Sequence, residues 1–437
     1  MEAPLVNKKK MYFTNVVIMT FCFFGIFFAF NTSQAMQTSL GGIQGYINLG
    51  CLYGVFCVFS LFGPKVVDMW GPKVSMLLGG ASYVLVVFSN LWAISYVQII
   101  ANLIVGLGAA LLWNAEGVYL ARCALHDCSY NGKTFGDTTS EYNGFFFSIF
   151  QFTGCAGTLI SAIIVKYLDK MWLFIILGSI GAISVAMLVF LPKVGAQFFS
   201  MVKINPETIP KQQVSVIETL RLLVNDKKVL LSVPIIFYNG MSLAYIFGDI
   251  SSNVSMTSFG SDWSLYITAA FYAANSLASY VFGKLSGLKK FGRRGSFITA
   301  FLLQLVPFVF FIFYQIKPND ESVLNKVLVI IAVVLISFGD AVWESQPPAV
   351  LQSFYHADKD RNAAMANYKM WQSLGFCIQF VIGACLSSYT YFWIKTIVIV
   401  VGLILGYAAY IYLDLRVSPI DSTIEKIESE TEVPYEA

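Results

Sequence analysis

Residues 327–350 read VLVIIAVVLISFGDAVWESQPPAV, and this stretch decides the fold class. As a helix that rises ~1.5 Å per residue, it is long enough to cross a bilayer core of about 30 Å. Asp340 and Glu344 are its two acids, and their spacing places both on one helix face. An acid in the hydrocarbon region costs at least about 2.5 kcal/mol, so such residues face a protein interior and serve a purpose. The stretch predicts a transmembrane helix with one acidic face.

The composition extends this prediction to the whole chain. Of 437 residues, 57% are apolar and 12% are charged, and the mean hydropathy is +0.69. Soluble domains carry about 25% charged residues, so this chain has too few charges to cover a soluble surface. The sequence predicts an all-α membrane protein, a bundle of twelve transmembrane helices. The twelve predicted segments are 11–30, 43–62, 74–94, 97–119, 144–167, 171–191, 229–247, 264–283, 296–314, 327–350, 363–386 and 391–413.

A long polar stretch divides these segments into six before and six after. Residues 192–228 are predicted to be a cytoplasmic linker, in which apolar residues from Val216 to Val224 recur at helical spacing and indicate an amphipathic surface helix. The linker separates an N-terminal half, residues 11–191, from a C-terminal half, residues 229–413. Residues 1–10 form the N-terminus, and the acidic residues 414–437 are predicted to be a disordered cytoplasmic tail.

The distribution of basic residues predicts the orientation. Of 28 Lys and Arg residues, 22 fall on the side of the two termini, and only four fall in the opposite loops. Because basic residues near helix ends stay in the cytoplasm, both termini are predicted to be cytoplasmic. The sequons at Asn31 and Asn253 then lie at the outer face, where they are candidate glycosylation sites.

Two short basic turns repeat between the halves and are candidate gating loops. The first reads Asp68-Met-Trp-Gly71-Pro-Lys73, and the second reads Lys289-Lys-Phe-Gly292-Arg293-Arg294. Inside the membrane, Trp113-Asn114-Ala-Glu116 aligns with Trp343-Glu344-Ser-Gln346. The carboxamide of Asn114 thus corresponds to the carboxylate of Glu344, and the carboxylate of Glu116 corresponds to the carboxamide of Gln346. A duplicated six-helix unit explains both repeats.

The duplication, the cytoplasmic middle loop and the basic turn after the second helix of each half resemble the major facilitator superfamily. The resemblance implies a bundle of two six-helix halves that works by alternating access. The turns depart from the loop motif of that superfamily at Pro64, Met69 and Lys289, where Gly, Arg and Asp are expected.

Three helix motifs are similar to those of the Unc-ninety-three-like branch of this superfamily. They are Trp113-x-x-x-Gly117-x-Tyr119, Gly339-Asp340-Ala-x-x-x-x-Gln346 and the Trp371-Gln372 pair within Tyr368-Lys-Met-Trp-Gln-Ser-Leu-Gly375. The resemblance implies one of two functions. Members of the branch are known as regulatory subunits of a potassium channel and as escorts for membrane receptors.

The embedded polar residues are the candidates for a cavity, proton or ligand site. They are Asp340, Glu344, Glu116, Asn114 and Gln346. Lys369 enters the next helix at a depth comparable to that of Glu344, so the two side chains are a candidate ion pair, either as a structural bridge or as a switch. Pro347 and Pro348 leave the carbonyls of Trp343 and Glu344 without their helical donors, which predicts either a kink or a broken-helix site.

These observations favour a small-solute or ion-coupled transporter that works by alternating access, in which Asp340 or Glu344 is a candidate proton carrier. The alternative is a non-transporting partner of a channel or receptor. No cofactor, metal site, catalytic constellation or nucleic-acid partner is indicated, so the protein is not expected to be an enzyme. Its predicted partners are the lipid bilayer and either an unknown solute or proton, or a partner membrane protein, at the plasma membrane or an endomembrane.

Overall fold

The computed structural model describes residues 3–92, 94–131, 135–194, 216–286, 291–320, 322–355 and 358–417, which are almost entirely helical and contain no strand. Residues 1–213 contribute α1 (Ala3–Gly41), α2 (Ile43–Ser60), α3 (Gly63–Trp70), α4 (Pro72–Ser89), α5 (Ser95–Asn131), α6 (Phe135–Tyr167) and α7 (Lys170–Leu188). Residues 214–437 contribute α8 (Val216–Asn225), α9 (Lys227–Ala244), α10 (Thr257–Phe259), α11 (Ser261–Leu285), α12 (Gly292–Phe313), α13 (Val323–Phe354), α14 (Asp358–Cys385) and α15 (Phe392–Tyr412). A π-helical segment, Tyr245–Met256, continues α9.

Ten of the described helices are long and apolar enough to cross a membrane, and the count of twelve spans stays a prediction. The two predicted segments outside this set correspond to α11 and α14, which are 25 and 28 residues long. Their length suffices for a span, but their polar side chains lower the hydropathy. Those side chains include Asn275 in α11 and Lys369, Gln372 and Gln379 in α14.

The chain forms two compact units. The first consists of Met1–Gln34 and Phe62–Gln213, and the second consists of Ala35–Leu61 and Val214–Ala437. Helix α2 therefore packs within the second unit, although the duplication assigns it to the N-terminal half. Within that unit, the Cys377 thiol of α14 donates to the Gly50 carbonyl of α2, with sulfur and oxygen 3.4 Å apart.

Small residues let the helices of each unit approach closely. In the first unit, a Cβ atom on Gly79 of α4 would lie 2.7 Å from the Gly108 carbonyl oxygen of α5. In the second unit, a Cβ atom on Gly240 of α9 would lie 2.0 Å from the Gln372 carbonyl oxygen of α14. Such contacts are typical of membrane helices, whose association depends on close packing and interhelical hydrogen bonds.

Helix α13 continues through Pro347 and Pro348 to Phe354, so the chain does not leave the helix at the prolines. Pro348 has no amide hydrogen to donate to the Glu344 carbonyl. The Tyr368 hydroxyl of α14 donates to that carbonyl instead, at an oxygen–oxygen distance of 3.3 Å. A side chain of the neighbouring helix thus satisfies one of the two carbonyls that the prolines leave open.

The amphipathic segment of the linker forms α8. Two of its apolar side chains, Ile217 and Val224, are strongly exposed, as expected of a helix whose apolar face lies in a membrane surface. Its other side is attached to α14, because the Asn367 side chain donates to the Thr219 carbonyl at 2.9 Å. The rest of the predicted linker, residues 195–215, and the acidic tail from residue 418 onward lie outside the described residues.

Candidate functional site

Asp340 lies at the centre of a polar cluster in the second unit. Its side chain, on α13, has no solvent exposure. Asn275 of α11 donates to carboxylate oxygen Oδ2 at 3.0 Å, and the Asn239 amide of α9 lies 3.5 Å from Oδ1. Two neighbouring helices thus present carboxamides to one buried carboxyl group.

The hydrogen bonds continue from this carboxyl group to α14. Gln372 donates to the side-chain oxygen of Asn239 at 2.7 Å, and Lys369 donates to the side-chain oxygen of Gln372 at 3.3 Å. We call the five residues Asp340, Asn275, Asn239, Gln372 and Lys369 the amide cluster. It joins a buried acid to a lysine through neutral groups that can both donate and accept.

The electrostatics of the amide cluster are unusual for the interior of a membrane protein. Within the described part of the chain, no Lys or Arg nitrogen lies within hydrogen-bond or ion-pair distance of the Asp340 carboxyl group, whose partners are amides. Glu344 follows one turn later and is half-buried. The direct pairing of Glu344 with Lys369 of the amide cluster stays a prediction.

Close packing fixes the position of Asp340. Its neighbour Gly339 faces α12, where a Cβ atom would lie 2.5 Å from the Gln304 side chain. Gln304 donates to the Ile336 carbonyl at 3.1 Å and accepts a hydrogen bond from Tyr238. The family motif glycine therefore has a packing role: it lets α13 approach α12 and orients the acid that follows.

A second buried cluster, which sequence reasoning missed, contains an ion pair. Lys395 of α15 lies 2.5 Å from Asp249 of the π-helical segment, and both side chains have no exposure. Tyr46 of α2 and Gln379 of α14 each donate to the Asp249 carboxylate at 2.8 Å. Asn253 accepts a second hydrogen bond from Lys395. We call these five residues the paired-charge cluster.

A sequence signal for the paired-charge cluster did exist. Lys395 lies within an apolar segment, where a lysine requires a partner. The seventh predicted segment ended at residue 247, which left Asp249 in a loop. In the structure the helical chain continues through Asp249 to Met256 as a π-helix, a form often found at functional sites.

The candidate residues of α5 all belong to the first unit. Glu116 is buried, and Asn114 donates to the Ala110 carbonyl of its own helix at 2.6 Å. Tyr119 is fully buried and donates to the Pro192 carbonyl at 2.9 Å. Trp113 packs on aromatic rings, with its centroid 5.1 Å from that of Phe150, whereas Gly117 faces open space. Trp113 and Tyr119 thus support packing within the first unit, whereas Glu116 and Asn114 stay predicted cavity residues.

Gln346 and Trp371 complete the family motifs. Gln346 is buried on α13, with its amide nitrogen 3.5 Å from the Ser345 hydroxyl. Trp371 is half-buried and immediately precedes Gln372 of the amide cluster.

The first gating-loop candidate is a tight turn between α3 and α4. Gly71 has a φ of +80°, a conformation that glycine adopts at little cost. Lys73 donates to the Val189 carbonyl after α7 at 2.6 Å. Desolvation raises the pKa of the Asp68 carboxyl group, and the charge of Arg122 opposes that rise.

The second gating-loop candidate is held by an ion pair. Gly292 has a φ of +58°, and Arg293 is half-buried. Arg294 pairs with Asp414, whose side chain is almost completely buried. Lys289, at the position of the motif acid, lies outside the described residues.

The two sequon asparagines already have hydrogen-bond partners. Asn31 donates to the Thr153 hydroxyl at 3.1 Å in the first unit. Asn253 is 5% exposed, belongs to the paired-charge cluster and donates to the Ser387 carbonyl at 3.2 Å. A glycan on Asn253 would require this side chain to leave its buried position.

The fold defines the class as multi-pass helical membrane proteins. A solved POT family transporter in complex with 5-aminolevulinic acid is similar to this chain with a TM-score of 0.65 and 13% identity, over 91% of this chain and 95% of that one. The family model "Ion channel regulatory protein UNC-93" matches residues 37–410, and the chain belongs to the UNC-93 family. The predicted all-helical membrane fold and the family resemblance are thus confirmed, whereas the count of twelve spans stays a prediction.

Two curated relatives illustrate the family. Protein unc-93 homolog A of Xenopus laevis is 26% identical over 440 residues, which cover 91% of this chain and 93% of the relative. The putative potassium channel regulatory protein unc-93 of Caenorhabditis elegans is 23% identical over 87% of this chain and 58% of its own length.

Proposed function

We propose that this protein is a secondary transporter of a small solute, in which Asp340 binds the coupling proton. The observation that carries the proposal is the full burial of Asp340 among carboxamides. A buried charge costs several kcal/mol unless it is paired. The amide cluster keeps such a carboxyl group without an adjacent cation, an arrangement that suits a group whose charge changes during function.

The hydrogen bonds of the amide cluster also link the protonation of Asp340 to side chains on other helices. As a carboxylate, Asp340 accepts hydrogen bonds from Asn275 and Asn239. As an acid it has to donate one, but Asn275 and Asn239 both present their amide nitrogen to it, and the oxygen of Asn239 faces Gln372. Protonation therefore requires an amide to turn, and the change passes through Gln372 to Lys369. We propose that this rearrangement couples protonation to alternating access.

The test is transport by the purified full chain in liposomes across a pH gradient, with a broad panel of small solutes. We expect a solute to drive proton flux in wild type and Asp340→Asn to lose the coupling to pH. Asp262→Asn removes an acid outside the amide cluster and is the matched control. Absence of solute-dependent proton flux in folded wild-type protein contradicts proton-coupled transport, and coupling that survives in Asp340→Asn contradicts the assignment of the site.

A second candidate function is regulation of another membrane protein. The name of the Caenorhabditis elegans relative and the description of the family model favour a potassium channel as that partner. The alternative of an escort for a membrane receptor follows from the family resemblance alone. Co-expression with potassium channels, followed by co-purification and current recording, tests this function. A current that changes with wild type and equally with Asp340→Asn favours regulation without proton binding.

A further inference from the structure

A basic cavity lies in the first unit, among residues that belong to neither buried cluster. It has a volume of about 260 Å³, close to the lower end of the ~300–1,000 Å³ range of ligand pockets. Its wall includes Trp70, Lys73, Tyr119, Arg122 and Lys193. Three of these five side chains are cationic, and the lining contains no acid.

Two of the three cations are held in place by backbone carbonyls, which are neutral groups. Lys73 donates to the Val189 carbonyl at 2.6 Å, and Arg122 reaches the Val194 carbonyl at 3.4 Å. Among the described residues, Lys193 has no hydrogen-bond or ion-pair partner and is exposed. Asp68 interacts with Arg122 from outside the lining and offsets part of the charge. The cavity therefore keeps a positive potential that an anion would satisfy.

The cavity lies at the boundary of the membrane-spanning segments. One wall is the start of α4 at Gly71 and Pro72, and another is the chain that follows α7. Both places are ends of candidate spans, Pro72–Ser89 and Met171–Leu188. The cavity is thus at the level where lipid headgroups meet water.

Apolar side chains are exposed beside this charge. Trp70 is 49% exposed within the lining; Met69, which precedes it, and Phe190, three positions before Lys193, are 67% and 82% exposed. Tryptophan is enriched at headgroup level, where its ring meets both apolar and polar surroundings. Cations in a cavity with apolar residues at its margin fit a molecule that has an anionic head and hydrocarbon chains.

We propose that the basic cavity binds the phosphate-bearing headgroup of an anionic phospholipid, held by Lys73, Arg122 and Lys193. Basic pockets between membrane helices are suited to such headgroups, and anionic lipids give the cytoplasmic leaflet its negative surface potential. The bound lipid ties the turn between α3 and α4 to the end of α7 and to α5. The proposal stands independently of transport.

The test is binding to the full chain in detergent. The probes are phosphatidylinositol 4-phosphate, phosphatidylcholine with the same acyl chains, and inorganic phosphate. We expect the phosphoinositide to bind, and the phosphatidylcholine and the phosphate to bind at least tenfold more weakly. Equally tight binding of inorganic phosphate overturns the lipid assignment in favour of a free anion. Equal binding of both lipids overturns the role of charge.

Variants locate the site. Lys193→Gln and Arg122→Gln should each weaken phosphoinositide binding about fivefold, the effect of one basic residue at a lipid surface. Lys65→Gln is the control, because Lys65 is also exposed and basic on α3 but lies outside the lining. Lys193 is exposed, so its substitution keeps the fold, and thermal unfolding without lipid verifies this. An equal loss in Lys65→Gln means general surface attraction and overturns the proposal.

Discussion

Asp249 and Asp340 are both fully buried in the second unit, but their hydrogen-bond and ion-pair partners indicate different roles. Asp249 faces the ammonium group of Lys395 and two further donors, so its negative charge is balanced where it lies. Asp340 faces carboxamides, which satisfy hydrogen bonds but carry no opposite charge. A balanced pair suits stability, and an acid without an adjacent cation suits proton exchange. We therefore assign Asp249 to the fold and Asp340 to the proposed coupling.

Removing one member of the buried pair should be far more damaging than removing both. Lys395→Met leaves Asp249 as an uncompensated buried charge, for which we expect a loss of about 3–5 kcal/mol in the free energy of unfolding. Lys395→Met combined with Asp249→Leu should recover part of that loss. Denaturant unfolding of the purified protein measures both, with Lys317→Met at an exposed position as the control. A double variant as unstable as the sum of its singles would contradict a direct pairing.

The predicted Glu344–Lys369 ion pair needs a separate double-mutant cycle. Glu344→Gln and Lys369→Gln are made singly and together, and stability is measured by thermal unfolding. If the two side chains pair, the effects are non-additive by about 0.5–3 kcal/mol. Lys369 already donates to Gln372, so additive effects would assign Lys369 to the amide cluster alone.

At the scale of elements, the contact between α13 and α14 shows how a helix carries two consecutive prolines. Tyr368 donates to the Glu344 carbonyl that Pro348 leaves without a helical donor. The same hydroxyl accepts a hydrogen bond from Gln372 at 3.2 Å. The proline position is therefore linked to the amide cluster through one tyrosine, which stabilises α13 where its own hydrogen-bond ladder is interrupted.

The role of Tyr368 can be isolated by restoring the missing donor. Tyr368→Phe should cost about 0.5–1.5 kcal/mol in the wild-type background, the net value of one hydrogen bond. In a Pro348→Ala background the alanine amide can donate to the Glu344 carbonyl, so Tyr368→Phe should cost less. Thermal unfolding of the four proteins provides the comparison. An identical cost in both backgrounds would show that Tyr368 acts through Gln372 instead.

Local sequence patterns predicted most of the helices but not how their polar residues meet. Hydropathy located the apolar runs, because burial in lipid acts on each segment separately. It ended the seventh run before Asp249, because a single acid lowers the average and its partner lies 146 positions away. Asp340 could be singled out from its own helix. Its contacts with Asn239 and Asn275 depend on tertiary packing, which a single sequence does not display.

At the scale of the whole molecule, the repeat in the sequence and the compact units differ in one helix. The duplication divides the chain after the sixth predicted segment. The structure groups Ala35–Leu61, which contains α2, with the unit that begins at Val214. Sequence repeats reflect how a chain arose by duplication, whereas compact units reflect which helices pack against each other. Tyr46 shows the second effect, because its ring is buried among residues of the C-terminal segments.

The predicted orientation places both termini in the cytoplasm. Labelling of single introduced cysteines with a membrane-impermeant reagent in intact cells tests it. We expect a cysteine at Asn319, in the turn before α13, to react from outside, and cysteines at Lys9 and Glu432 to react only after permeabilisation. The excess of basic residues on the side of the termini is the reason for this expectation. Reaction of the terminal positions in intact cells would contradict it.

The contact of Tyr46 with Asp249 also delays the final packing of α2 during protein synthesis. Its hydroxyl group donates to Asp249, which is made 203 residues later. At about 5–20 residues per second, α2 waits roughly 10–40 s for that partner after it leaves the ribosome. During this interval the hydroxyl requires a temporary partner in the membrane. A nascent chain released after the sixth predicted segment would therefore contain α2 without the native neighbours of that helix. Helix α2 is thus a natural substrate for quality control during insertion.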